Sequence, residues 1–266
     1  MTSAQTSDRT PHAAMCAGER WASAVGGPPT PKNEALLIKR LSLVQRAAST
    51  GPHQFATEWA SWMTELRAAL PVGSRPRRII HCITRPSSSA QPFDGVAMTW
   101  FDSETDLAVH DRLREGLPNA PFDRTSMTEI RVTERAVVVD DEIPAWRQGG
   151  NNDSKLVLLS FIQRKAGTTR GQFATYWWEA HRPLADKIVP LNLRPSTFFH
   201  NYVDEGESVK WDGIAEMYDR SIEVARARKR WVRLAEAVQI AEDEGRFMHR
   251  ATVLGIAADA HVILPG

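Results

Sequence analysis

The same landmarks occur twice along this chain, in the same order. Residues 54–59 read Gln-Phe-Ala-Thr-Glu-Trp, and residues 172–177 read Gln-Phe-Ala-Thr-Tyr-Trp, an offset of 118. At that offset Phe93-Asp94-Gly95 answers Trp211-Asp212-Gly213, Trp100 answers Tyr218, and Ser103 answers Ser221; His81 and His200 match one residue adrift. A repeat of this size limits what the chain can become. Each block presents a sheet with one apolar face that needs a partner, and here the partner is covalently attached.

The pattern of elements within the blocks agrees. In the first block, about 34–139, Ala35 to Val44 reads as a strand and His53 to Leu70 as a helix with Phe55, Trp59, Met63 and Leu66 on one stripe. Pro71-Val72-Gly73 ends that helix. Arg78 to Thr84 and Gly95 to Phe101 read as strands around a polar loop at 86–92. Ser103 caps a helix, and Met127 to Val139 closes the block. The order is β-α-β-β-α-β, the ferredoxin-like pattern. Residues 140–153, with Pro144, Gly149, Gly150, Asn151 and Asn152, read as a linker.

The second block, 154–266, repeats the order. Its strands are expected at Lys155 to Arg164, Thr197 to Val203, Gly213 to Tyr218 and Arg250 to Leu264. A helix capped by Thr168 or Thr169 runs to about Ala180. Another opens at Ser221 and continues through Leu234, with more helix from Ala235 to Phe247. The fold class is therefore α+β: two tandem ferredoxin-like repeats whose open faces pack into a barrel with an apolar interior able to hold a small ligand. Residues 1–33, rich in Ala, Ser, Thr, Gly and Pro, read as a disordered tail containing Trp21 and Cys16.

Composition excludes more than it selects. A formal net charge of +1 gives no general attraction to nucleic acid or anionic membranes, and no apolar run of about 20 residues is present to span a bilayer. The basic group Arg226, Arg228, Lys229, Arg230 and Arg233 winds round its helix as a solvated face. The start of the chain lacks the pattern of a signal peptide. Cys16 and Cys82 lack the spacing of a disulfide framework or a metal site, which fits a reducing, cytoplasmic setting. No glycine-rich phosphate loop and no nucleophile elbow occurs, so no cofactor is expected; haem alone would leave no motif. Nine tryptophans suit a cavity lined for an apolar ligand.

The second block resembles the EthD-type family of dimeric α/β-barrel proteins. The likeness rests on Leu156-Val157-Leu158-Leu159, Arg164-Lys165-Ala166-Gly167, then Phe173, Tyr176-Trp177 and His181-Arg182-Pro183-Leu184-Ala185. Trp211-Asp212-Gly213-Ile214-Ala215-Glu216 and the late Glu244, Phe247, Arg250 and His261-Val262-Ile263 extend it. The first block resembles the family weakly: Met63 stands where the histidine would be, and no proline follows. The resemblance implies a ferredoxin-like fold that usually pairs two chains into a barrel, here in tandem form. It also implies a range of chemistries, from polyketide-tailoring dehydratases and catabolic proteins to isomerases, cofactor-free monooxygenases and haem enzymes.

His181 is the leading candidate residue, an extension of the inward stripe of Phe173 and Trp177, placed at a helix end because Pro183 disfavours helical geometry at Arg182. Spacing alone favours a histidine that caps the last helix carbonyls, whereas the resemblance favours general acid/base chemistry. His200 and Tyr202 share a strand face and form a second candidate pair, although the occurrence of His81 in the first block favours a structural role. Tyr176, replaced by Glu58 in the first block, is a candidate for holding a substrate oxygen. Trp177, Trp178, Phe198 and Trp211 are candidate pocket walls, and Glu216 a carboxylate that would orient a histidine. The expected function is proton-transfer chemistry of the dehydratase or isomerase type on a small hydrophobic, oxygenated compound, with a homodimer left open. A ligand-binding protein without turnover and a haem- or oxygen-dependent oxidoreductase are the alternatives.

Overall fold

The computed structural model describes residues 37–86, 91–149 and 153–264. The expected tail at 1–33, with Trp21 and Cys16, and residues 87–90 of the polar loop lie outside them. Strands β1 (Ile38–Val44), β2 (Arg78–Thr84), β3 (Gly95–Phe101) and β4 (Thr128–Val138) belong to the first repeat. Strands β5 (Lys155–Ile162), β6 (Thr197–Val203), β7 (Gly213–Tyr218) and β8 (Leu254–Leu264) belong to the second. Each repeat forms a four-stranded antiparallel sheet. The two sheets join along β2–β8 and β4–β6 into one closed barrel in the order β1-β3-β2-β8-β5-β7-β6-β4. Closure leaves no strand edge unpaired among the described strands.

Helices cover the outside. α1 (Pro52–Ala69) and α2 (Glu104–Gly116) flank the first repeat, with proline at the start of α1 and Ser103 accepting from the Asp106 amide at the start of α2. In the second repeat, α4 (Arg170–Tyr176) opens on a capping box in which Thr169 and Gln172 satisfy each other's backbone amides. α5 (Arg182–Ile188), α6 (Ile222–Trp231), which opens on Ser221, and α7 (Val238–Phe247) follow. α7 falls between α6 and β8, where the first repeat has only the short segment between α2 and β4.

The shared landmarks acquire physical causes. Asp94 and Asp212 each accept from the backbone amide of an arginine, Arg46 at 2.9 Å and Arg164 at 2.8 Å, and each pairs with that arginine's guanidinium. They pin the turn after the first strand of their repeat. Gly95 and Gly213 leave room for Trp59 and Trp177. A Cβ on Gly95 would lie 1.9 Å from Cζ3 of Trp59, and one on Gly213 would lie 2.6 Å from Cζ3 of Trp177. The tryptophans in turn pack on the outward-facing strand histidines, Trp59 on His81 at 5.8 Å and Trp177 on His200 at 3.8 Å between ring centres. The motif repeated in sequence is thus a helix-to-sheet contact.

Two expectations are corrected here. The segment between repeats is not a bare connector: Glu142–Arg147 forms helix α3, with Ile143 and Trp146 buried and Trp146 Nε1 donating to the Asp153 carbonyl at 2.7 Å. Nor is the barrel interior purely apolar. Leu41, Ile80, Met98, Ile130, Leu159, Phe161 and Ile256 pack inside it, but so does a network of charges. Lys39 Nζ donates to Glu216 at 2.6 Å and to Asn201 Oδ1 at 2.7 Å, and also pairs with Glu134. Arg147 of α3 pairs with Glu216 and reaches Glu134 at 3.2 Å, while Tyr218 donates to Glu216 at 2.8 Å. Glu216 therefore orients no histidine. Its position on the inner face, alternating with Ala215 and Met217, turns it toward Lys39 instead.

Burial acts to raise the carboxyl pKa of Glu216, but Lys39 and Arg147 outweigh it and hold the group at about 2. A carboxyl depressed below its ordinary 4.5 contributes stability above that value and loses it on acidification. Urea denaturation should therefore show a folding free energy that falls as pH drops from about 4.5 toward about 2, and Glu216→Gln should flatten that fall. Lys39→Met, which leaves the buried carboxylates Glu216 and Glu134 with Arg147 as their one cation, should cost about 3–5 kcal/mol. Gly95→Ala should cost about 1–3 kcal/mol through the clash with Trp59, whereas Gly73→Ala, with no atom within 4 Å of the added carbon, should cost far less.

Candidate functional site

The helical rod that crosses the outside of the second repeat does not end at Pro183. Arg182 is helical (φ −57°, ψ −52°), and a wide π-turn, Trp177–His181, joins α4 to α5. Proline lacks a donor and crowds the carbonyl four residues back, and a wide turn absorbs that misfit without breaking the helix. His181 thus sits in mid-rod and not at a helix end. The extra residue in the turn matters. On a regular helix Tyr176 and His181, five residues apart, would point about 140° away from each other. Here both reach one carboxylate, Asp243 of α7. Tyr176 donates its hydroxyl hydrogen to Oδ1 at 2.7 Å, and His181 Nδ1 meets Oδ2 at 2.8 Å.

Asp243 is buried, while His181 and Tyr176 are half-buried beside Phe247, whose ring lies 4.9 Å from that of His181 and 5.4 Å from that of Tyr176. A carboxylate accepts and does not donate, so His181 carries its proton on Nδ1 toward Asp243. Among the described residues Nε2 has no hydrogen-bond partner, which leaves its lone pair for another molecule. Burial, then the Asp243 bond, raises the pKa of Tyr176 and keeps the phenol protonated.

Next to this trio lies a second pair. His200 and Tyr202, on the outer face of β6, meet at 3.0 Å, with Trp177 stacked on His200 and Phe198 4.8 Å from it. Burial pushes the pKa of His200 well below its ordinary value, and the charges of Arg182 and Arg135 push the same way. His200 is a neutral imidazole. Burial also raises the Tyr202 phenol. At the rim, the half-buried Trp178 packs against two guanidiniums, Arg135 at 3.5 Å and Arg182 at 4.4 Å.

Of the residues named from sequence, His181, Tyr176, His200, Tyr202, Trp177, Trp178 and Phe198 come together in the layer between the rod and the outer face of the second sheet. Trp211 does not join them. It lies inside the barrel, 5.1 Å from Phe161 and 6.2 Å from Phe93. Asp243, Arg135 and Arg182 escaped the sequence reading as site residues. Asp243 carried a usable signal: it lies in the helical stretch that has no counterpart in the first repeat. Arg135 carried none, because only the β4–β6 seam, where it pairs with His200, brings it near. No group of three or more His, Cys, Asp or Glu side chains among the described residues converges as a metal site.

Comparison with solved structures places the barrel among known folds. An anthrone oxidase-like protein superposes with a TM-score of 0.55 at 9% identity, over 86% of this chain and 94% of that one. A chlorite dismutase-like protein gives 0.50 at 6% identity, over 84% and 94%. A chlorite dismutase variant from Candidatus Nitrospira defluvii gives 0.46 at 12% identity, over 85% and 92%. Comparison with curated proteins returns no match. The fold is that of the dimeric α/β-barrel proteins, with both ferredoxin-like halves in one chain. Residues 165–251, within the second repeat, match the family model of the EthD domain. The match contains both His181 and Asp243. No described helix is long and apolar enough to cross a membrane.

Removing the carboxylate would leave a buried imidazole N–H and a phenol without their acceptor. Asp243→Ala should therefore lower stability by about 1–3 kcal/mol in chemical denaturation, and Asp243→Asn, which keeps one acceptor oxygen, should lose less.

Proposed function

We propose that the second repeat is a cofactor-independent enzyme that carries out proton-transfer chemistry on a small hydrophobic, oxygenated molecule. The reaction class would be a dehydration, an isomerisation or a related lyase step, in the reducing, cytoplasmic setting that the cysteine content suggests. The observation that carries the reading is the Asp243–His181 pair, with Nδ1 tied to the carboxylate and Nε2 unpartnered. In that arrangement His181 Nε2 removes a proton from the substrate carbon, Asp243 stabilises the imidazolium that forms, and the same nitrogen returns the proton to the leaving hydroxyl or to a neighbouring carbon. Tyr176 holds the other oxygen of Asp243 and fixes the carboxylate's orientation.

Proton abstraction next to a carbonyl places negative charge on the substrate oxygen, and a preorganised site meets that charge with donors and cations. The neutral His200–Tyr202 pair, with Arg135 and Arg182 nearby, fills this role. Trp177, Trp178 and Phe198 exclude water and pack on the apolar body of the substrate. A carboxylate-backed imidazole with a free Nε2 is also how histidines hold a metal or haem iron. A haem-dependent oxidoreductase would therefore use the same residue, and a Soret band on titration with haem, lost in His181→Ala, would support it in place of the acid/base reading.

Incubation of the purified protein with a panel of cyclic β-hydroxy ketones, followed by chromatography and mass spectrometry, should reveal loss of water or an isomer. On the compound found, His181→Ala should lower kcat by about 10²–10⁴ with the fold intact by circular dichroism. An unchanged kcat in that variant would refute His181 as the base. A ligand recovered unaltered but bound would mark a binding protein without turnover.

A further inference from the structure

The first repeat lacks the histidine of the second, Met63 standing at the position of His181, yet the same layer between helix and outer sheet face holds a cavity of about 20 Å³. Its apolar walls include Trp59, Trp62, Met63 and Phe122; its polar walls are Ser42, Thr99, His110 and Arg114. His110 is 3% exposed, and its Nε2 has no hydrogen-bond partner.

The proton on His110 can be placed from its surroundings. Arg40 Nη2 lies 3.0 Å from Nδ1, and a guanidinium only donates, so Nδ1 is the accepting nitrogen. The contact of Nδ1 with Asp111 Oδ1 at 3.3 Å is then between two acceptors that share Arg40, whose Nη1 donates to Asp111 at 2.5 Å. Burial lowers the pKa of His110 and keeps the ring neutral. A neutral ring that accepts at Nδ1 carries its hydrogen on Nε2. A second buried donor with no partner, Nε of Arg114, belongs to the same wall, while both terminal nitrogens of Arg114 are occupied by Glu129. Two buried donors without a partner therefore belong to side chains that line the cavity. The nearby charges cancel, Arg40 and Arg114 against Asp111 and Glu129, so an anion gains no net attraction.

We infer that the first repeat carries its own binding site, for a compact, uncharged, apolar molecule with one acceptor oxygen, such as a small ketone, held by His110 Nε2–H and Arg114 Nε–H. The volume has room for little more than one water-sized group. Met63 is the side chain that yields, because its unbranched thioether has several rotatable bonds.

The test titrates full-length protein with cyclopentanone and, separately, with its oxygen-free counterpart cyclopentane, while the imidazole ¹⁵N resonances are followed by NMR. The His110 Nε2 resonance should move with cyclopentanone and not with cyclopentane. Met63→Ala should bind cyclopentanone severalfold more tightly than the natural chain, and Met63→Trp should abolish the response while circular dichroism confirms the fold. His181→Ala should respond as the natural chain does. Equal responses to both compounds, no response in either the natural chain or Met63→Ala, or loss of the response in His181→Ala would each overturn the inference.

Discussion

The charge network inside the barrel is the constraint on which the architecture turns. Lys39 comes from the first repeat and Glu216 from the second, and neither is more than 1% exposed. Taking either charge out of water alone would cost several kcal/mol. The cost is offset only when β1, β4, β6 and β7 stand at the right distance and α3 brings Arg147 across the group. Two cations, two carboxylates, an asparagine and a phenol then satisfy one another. Replacing such a group as a whole by apolar residues is often neutral for stability, whereas removing one member strands the others and is costly. An alternative register, or a pairing with another chain that lacked this match, would bury an unpaired charge.

That lock lets the two halves diverge on the outside. The inner faces must agree with each other, because they share one core, whereas each outer face answers only to its own helices. The shared features outside are those that close the helix onto the sheet: the Asp–Arg turns, the serine caps, and the glycine that admits a tryptophan over a strand histidine. The features unique to the second repeat are the π-turn, α7 and the three side chains that meet at Asp243. They form one unit, since the π-turn aligns Tyr176 with His181 only to the benefit of a carboxylate on α7.

The repeat at offset 118 made the barrel legible, because hydrophobic spacing at period two and period 3.6 marked every strand and most helices. Separating landmarks common to both repeats from those in one only draws attention to His181 and Tyr176. Three things stayed hidden for physical reasons. Pro183 signals a helix end by its own chemistry, and only tertiary packing of the rod on α7 and β6 favours a π-turn over a break. Strand alternation gives two faces without saying which is the barrel interior. Trp211 therefore falls with Trp177, Trp178 and Phe198 as a pocket wall in the sequence reading, although it lies inside the barrel and they lie outside it. The glycine- and asparagine-rich run at 149–152 masked the helix before it, whose Trp146 has no periodic partner in sequence.

The placement of the candidate chemistry follows from the same division. The inner face carries a satisfied ion network in which each charge holds another, and a substrate that entered it would have to replace those bonds. The outer layer has the opposite character. Its polar groups are left with one hand free, Nε2 of His181 in the second repeat and Nε2 of His110 in the first, among aromatic side chains. The two hands differ in kind. Asp243 accepts the Nδ1–H of His181 and leaves a lone pair at Nε2, whereas Arg40 donates to Nδ1 of His110 and leaves a hydrogen at Nε2. Backed by a carboxylate, the imidazole offers a lone pair at Nε2; backed by a guanidinium, it offers a hydrogen there. One fold thus presents two imidazoles of opposite polarity on equivalent layers.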